Sequence, residues 1–358
     1  MKEFEIRAAT DDDRQHVCHL MGNIYPGDMS ARYDWLYRSN PHGAAVTWLA
    51  IETATGEAVG CTSIFPRRVM VGNQERRGGI GGDCFIEPRM RRRGIASALH
   101  RASFSEMRER GVDFMYGPPN SNNLGALVKA GSRVVASYNR WVRPLTARGM
   151  LSRGRKRAPS RLETKLARLP VMVLDRLAKT DARDFSGEEV ESFTSEFDAM
   201  FESAASSHEV VCVRDRHYLA WKYFASPLRR QVPLAVKRDG EVVGFLALEI
   251  LGEYAAIADL FTANDTRLID GALQVATDYA AAAGCSMIEL NLTDGCLVTS
   301  RLFRHGFINR GGRGFQVALS ESFSESALLL KAGSWHFTEG DLDMDTVFVL
   351  GEGERVKG

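Results

Sequence analysis

Two segments of the 358-residue chain repeat one pattern in the same order, and that repeat constrains the fold more than any other feature. Trp35-Leu36-Tyr37-Arg38-Ser39-Asn40-Pro41 and Trp221-Lys222-Tyr223-Phe224-Ala225-Ser226-Pro227 both read W-x-Y-x-x-x-P. Leu49-Ala50-Ile51 followed by Gly56–Gly60 matches Leu234-Ala235-Val236 followed by Gly240–Gly244, each a strand, a Gly-containing turn and a second strand. Asp83-Cys84-Phe85 then matches Asp259-Leu260-Phe261. A helical stretch closes at Gly111 or Gly284, a strand follows at Val112–Tyr116 or Ser286–Leu290, and a short helix stops at Gly131 or Gly306. The offset drifts from 186 to 175, as trimmed loops would make it. The expected class is α/β (α+β): two tandem units, each a mixed, mostly antiparallel sheet flanked by helices, spanning 1–145 and 186–358 about a basic linker at 146–185.

Composition excludes several alternatives. Lys+Arg is 46 against 45 Asp+Glu, so nucleic-acid binding is not expected. The balance hides a local charge: Leu145 to Asp184 holds 11 Lys/Arg and 4 Asp/Glu, a net +7 that leaves the remainder near −6. Such a run is either a solvated linker face or a contact for an anionic ligand or membrane surface. No run approaches ~18 apolar residues, and Met1–Glu5 has no signal-peptide core, so no transmembrane segment and a cytoplasmic location are expected. Cys18, Cys61, Cys84, Cys212, Cys285 and Cys296 show no C-x-x-C spacing and read as reduced thiols. Asp341-x-Asp343-x-Asp345 with Glu352 mimics a calcium loop, but Thr346 stands where that loop needs Gly, so no metal is expected.

The segment Asp83 to Leu99 carries the chemistry. A β-rich run ends at Pro88, a turn containing Gly94 follows, and Ile95, Leu99 and Phe104 then mark a helix face. A helix start offers unpaired N–H groups and the positive end of its dipole, which suits a phosphate. Gly94 and Ala96 let a diphosphate approach the backbone, and Arg89, Arg91, Arg92 and Arg93 add charge. No G-K-[ST] follows, and Gly78–Gly82 precedes the strand, so neither a P-loop nor a Rossmann fingerprint is present.

Ile86-x-Pro88-x-x-Arg91-x-x-Gly94-x-Ala96 resembles motif A of the GNAT acyl-CoA N-acyltransferases, V-x-P-x-x-[RQ]-x-x-G-x-[GA]. The resemblance implies acetyl-CoA or another acyl-CoA as cofactor. Its diphosphate would lie on Arg91, Arg92, Arg93, Gly94, Ile95, Ala96 and Ser97, and its pantetheine along Phe85 and Ile86. The next strand, followed by Gly117-Pro118-Pro119, would splay away to admit the arm. Asn120 and Asn123 fall on the following helix motif, but Leu127 stands where the family commonly has the tyrosine that protonates the CoA thiolate. Tyr116, Tyr138 or water could substitute.

The second copy has no such loop: Thr262–Gly271 lacks R-x-x-G-x-[GA] and carries Asp265 and Asp270, which would repel phosphate. It is expected to shape the acceptor site. The duplicated W-x-Y-x-x-x-P, Pro118–Ser121 and Trp335–Asp341 resemble tandem GNAT sugar N-acyltransferases of bacterial surface-polysaccharide pathways, which implies a primary-amine acceptor, an amino sugar on a nucleotide carrier. Tyr218, Trp221 and Trp335 are candidates to stack on it, Tyr223 beside them, and Asp259 to contact it. Asp83 is the candidate base, sharing a face with Phe85; a structural carboxylate is the competing role. Glu87 would flank the diphosphate. His100 reads as packed, and Cys84, with no His nearby in sequence, as a poor acyl-enzyme nucleophile. A tRNA-dependent aminoacyltransferase, a non-catalytic acyl-CoA-binding module and mycothiol-synthase-like chemistry stay open, and the oligomeric state is not read.

Overall fold

A computed structural model describes residues 3–25, 29–151, 182–227, 231–320, 323 and 327–343. Most of the basic linker, and Asp345, Thr346 and Glu352 of the calcium-like motif, lie outside the described residues.

The two hairpins foreseen from sequence are present. β2 (Val46–Glu52) turns at Gly56 into β3 (Ala58–Val71), and β9 (Val232–Arg238) turns into β10 (Glu241–Leu251). The second turn places Asp239 at φ +52° and Gly240 at φ +85°, the left-handed pair that a two-residue hairpin demands. β1 (Phe4–Ala8) edges the first hairpin and β7 (Phe185–Glu189) the second. β4 (Gln74–Ile86) and β11 (Tyr254–Thr262) follow, and each pairs in parallel with the next main strand, β5 (Phe114–Gly117) or β12 (Met287–Thr293).

The last strand of each copy crosses over. β6 (Arg133–Pro144) of the first copy pairs with β12 of the second, and β13 (Ile308–Leu319) of the second pairs with β5 of the first. β6 and β13 also pair with each other. The resulting order is β1-β2-β3-β4-β5-β13-β6-β12-β11-β10-β9-β7, one continuous sheet in which the copies exchange their final strands. Off this path β8 (Val210–Cys212) pairs with β3, and β14 (Trp335–His336) pairs with β8.

The helices are α1 (Arg14–Gly22), α2 (Met29–Arg32), α3 (Ile95–Glu106), α4 (Ser121–Ala130), α5 (Ala147–Leu151), α6 (Ser195–Ala205), α7 (Arg216–Tyr223), α8 (Thr266–Ala282) and α9 (Leu297–Leu302). α3 buries Ile95, Leu99 and Phe104 against Trp48, Ile64 and Met115, the spacing that marked it as a helix. α8 does the same in the second copy with Ile269, Leu273 and Ala276.

The repeated tryptophans meet between the copies. Trp35 and Trp221 stack at 4.8 Å and 17°, and each indole N–H donates to the other's backbone carbonyl, at 3.0 and 3.1 Å. The reciprocity is that of an approximate two-fold axis. The repeated tyrosines are also equivalent: Tyr37 hydroxyl donates to Asp83 Oδ2 at 2.5 Å and Tyr223 hydroxyl to Asp259 Oδ2 at 2.9 Å.

Candidate active site

Gly94 caps α3 at φ +81° with no side-chain hydrogen bond to the helix start. The Ala98 N–H bonds Gly94 O at 3.0 Å, and the first-turn N–H groups of Ile95, Ala96 and Ser97 precede that bond. They open on a cavity of about 360 Å³ lined by Ile86, Met90, Arg91, Arg92, Gly94, Ile95, Ala96, Ser97 and Lys129. Arg91, Arg92 and Lys129 line the cavity and make no ion pair among the described residues, so three cations stand beside the helix dipole. Arg92 holds φ +63°, a left-handed conformation that is costly for a non-glycine residue and brings it to the cavity. Lys129 reaches the site from α4 and was not legible in the motif.

The other predicted contacts divide. Arg91 donates to Ile86 O at 3.0 Å. Arg93 pairs with Glu3 and does not line the cavity. Arg89 is bound by Glu52 and Glu87, so Glu87 serves that arginine. Phe85 is buried. Asn120 caps α4 through Asn123 N, and Asn123 Oδ1 lies 2.9 Å from His100 Nε2.

β4 and β5 pair only from Gly78–Phe114 to Ile80–Tyr116, after which that edge of β4 is open while its other edge stays paired with β3 to Ile86. A Cβ on Gly117 (φ +142°) would strike Ile80 Cδ1, and Pro118-Pro119 offer no N–H to a neighbouring strand. The strands therefore part beside the α3 start.

The second copy parts likewise after Ile257–Leu290, but its gap is filled. Thr293 N donates to Phe337 O at 3.2 Å, Leu292 bridges Thr338, and His336 Nε2 lies 2.8 Å from Leu260 O. Its helix start is filled too: Asp265 Oδ1 accepts from Arg267 N and Leu268 N at 2.8 and 3.0 Å. Asp270 instead pairs with Arg301 of α9 and lies 3.0 Å from His305 just beyond that helix.

Burial corrects several assignments. Asp83 is fully enclosed: Arg32 binds both its oxygens at 2.6 and 3.0 Å, and Tyr25 and Tyr37 donate to it as well. It is the fixed anion of a buried ion pair, the structural role, with its lone pairs committed rather than turned to a substrate. Asp259 is its counterpart, held by Arg214, Tyr223 and Thr338. Tyr218 stacks on His42 and contacts Arg67, while Trp221 stacks on Trp35. Trp335 packs on Tyr116 and Phe315. At 2%, 8% and 1% exposure, these three rings have no face left for a sugar. Tyr116 and Tyr138 are buried as well, burial pushes both hydroxyls up, and neither lines the cavity. Leu127 is core.

Folding does bring a histidine to Cys84: His100 Nε2 lies 3.6 Å from Sγ. Burial pushes the thiol up to about 12 and lowers the imidazole, so the pair is neutral. His100 is packed, as expected. All six cysteines are free thiols. Asp341 pairs with Arg214 and Arg67, and no metal-holding cluster occurs among the described residues.

The fold is thus a pair of similar α/β units sharing one sheet, with an uncapped helix start beside a parted strand edge in the first. Residues 5–124 match the family model described as Acetyltransferase (GNAT) domain. Among solved structures, a GCN5-related N-acetyltransferase from Anabaena variabilis aligns at TM-score 0.63 and 14% identity, over 88% of this chain and 72% of that one. One from Kribbella flavida aligns at 0.57 and 11%, over 88% and 71%. N-myristoyltransferase from Saccharomyces cerevisiae, solved with bound myristoyl-CoA, aligns at 0.53 and 13%, over 89% and 80%. No curated protein sequence matches the chain. No helix among the described residues is long and apolar enough to cross a membrane.

Proposed function

We propose that the chain is an acyl-CoA-dependent N-acyltransferase that moves an acyl group to the primary amine of a small acceptor by direct attack in a ternary complex. The observation that carries this reading is the asymmetry between the copies. The first copy keeps an open helix start beside an open strand edge, and the second fills both with its own chain. The N–H groups of Ile95, Ala96 and Ser97, with Arg92 and Lys129, would hold the CoA diphosphate. The pantetheine would run along β4 past Ile86. The bound acyl-CoA supplies the thioester, and the protein orients it against the amine.

Within that reading, residues 1–145 hold the cofactor and 186–358 complete the acceptor side, in a cytoplasmic enzyme. The acceptor we propose is an amino sugar on a nucleotide carrier; its support is the resemblance of the repeated W-x-Y-x-x-x-P and the Trp335–Asp341 segment to tandem sugar N-acyltransferases. The test is to incubate the protein with acetyl-CoA and longer acyl-CoAs beside nucleotide-linked amino sugars and other primary amines, and to follow free CoA thiol. Thiol release only with sugar amines is expected. Release with other amines alone would remove the sugar assignment, and tight CoA binding with no release at all would leave an acyl-CoA-binding module.

A further inference from the structure

The site as described has an open cofactor edge but no base, since Asp83 is committed to Arg32. A second carboxylate comes to the same place from the other end of the chain. After filling the gap of the second copy, the C-terminal segment continues to Leu342, whose carbonyl accepts from Lys222 Nζ at 2.6 Å. That bond sets the next residue, Asp343, against β4. A Cβ on Gly82 would lie 1.8 Å from Asp343 Oδ2, so position 82 must lack a side chain for the carboxylate to sit there. Gly82 stands two residues beyond the last β4–β5 pair, where β4 is held by β3 on one edge and open on the other. Four residues separate it from Ile86 at the cavity, ~13 Å along a strand. An arm laid on that edge from the cavity leads to Gly82.

We infer that Asp343 is the general base of the transfer, taking a proton from the acceptor ammonium at the parted edge of β4. This rests on the N-acyltransferase reading and adds the residue that starts the reaction. Asp343 is as buried as Asp83 but makes no ion pair among the described residues, whereas Arg32 binds both oxygens of Asp83. Three charged groups act on it: Asp83 from β4, Arg32 from α2 and Lys222 from α7. Burial and then the Asp83 charge raise its pKa to about 7, while Arg32 and Lys222 oppose the rise. A base poised near the working pH is the efficient one. The buried Asp83–Arg32 pair thereby acquires a positioning and tuning role.

The step balances without a further reactant. Asp343 takes one proton from R–NH3+, and the free amine attacks the thioester carbonyl. The C–N bond forms, the C–S bond breaks, and the second N–H proton leaves with the sulfur as CoA thiol. Asp343 then returns its proton to solvent.

The experiment compares wild type, Asp343→Asn and Asp343→Glu, using acetyl-CoA and the primary-amine panel, with CoA affinity measured separately by calorimetry and folding checked by thermal melts. Expected for wild type is a rate that rises with pH through about 7 and then levels. Asp343→Asn should lower kcat roughly 10²–10⁴-fold, abolish that limb and leave CoA affinity unchanged, while Asp343→Glu should restore part of the rate. An Asp343→Asn enzyme that keeps the wild-type rate, or the same limb at a lower rate, would overturn the base assignment alone. Wild type that binds CoA yet releases no thiol with any amine would overturn the activity, and the assignment with it.

Discussion

At the scale of single residues, what the sequence made legible was local. Gly94, Ile95, Ala96 and Ser97 are contiguous, and the physics of a helix start needs nothing from elsewhere in the chain. Lys129 and Asp343 were not legible, because each reaches its place through tertiary contacts that no spacing encodes. Asp83 was found but misassigned: Arg32, which neutralises it, lies 51 positions away. Gly94→Trp is expected to remove CoA binding. The ring would fill the approach to the open N–H groups, while a Cβ added at Gly94 meets nothing within 4 Å, so the fold has room for the substitution. The φ of +81° adds a helix-end cost of about 1 kcal/mol. Calorimetric titration with CoA checks this, and wild-type affinity would refute the loop assignment.

At the scale of elements, the two copies differ in how they satisfy the same orphan groups. α3 begins at Gly94 with no side-chain cap, whereas α8 is capped by Asp265. The loss of R-x-x-G-x-[GA] was plain in the sequence, but its replacement by an internal cap was not, nor was the filling of the strand gap by Phe337 and Thr338. Both depend on which surfaces come together. Asp265→Ala should lower stability by about 1 kcal/mol, the usual value of such a cap, measured by urea unfolding, with CoA affinity at the first copy unchanged. A change in that affinity would show that the second helix start participates in cofactor binding. The exchange of β6 and β13 was equally hidden, since both copies end in the same kind of strand and the pattern cannot say which sheet each one joins.

For the whole molecule, the buried histidines set an acid limit. His42, His208 and His336 are held down to about 2, 3 and 4, in each case chiefly by burial and further by nearby cations, with His336 itself acting on His208. Unfolded, each would titrate near ~6.5. Between these values the unfolded chain binds more protons than the folded one, so stability is present above about 6.5 and is lost as pH falls. Asp343 works in the opposite sense: raised to about 7, it stabilises most below its unfolded value and loses that contribution as pH rises through about 7. Near pH 5 the three histidines outweigh the one carboxylate, a loss of order 2–3 kcal/mol per pH unit. Tm should therefore fall steeply from pH 7 to pH 5. A flat Tm over that range would mean that these imidazoles are not held neutral in the fold.

The exchanged strands also bear on how such a chain can change. In a two-fold dimer each protomer depends on the other, and dilution separates them. Here the same mutual dependence is written into one polypeptide, so the association survives at any concentration. The half whose helix start is capped by its own Asp265 cannot be shed, because it supplies β13 between β5 and β6 of the other half. The second copy is therefore constrained from outside itself, by the strand it lends to the first and by the C-terminal segment that it sets against Gly82.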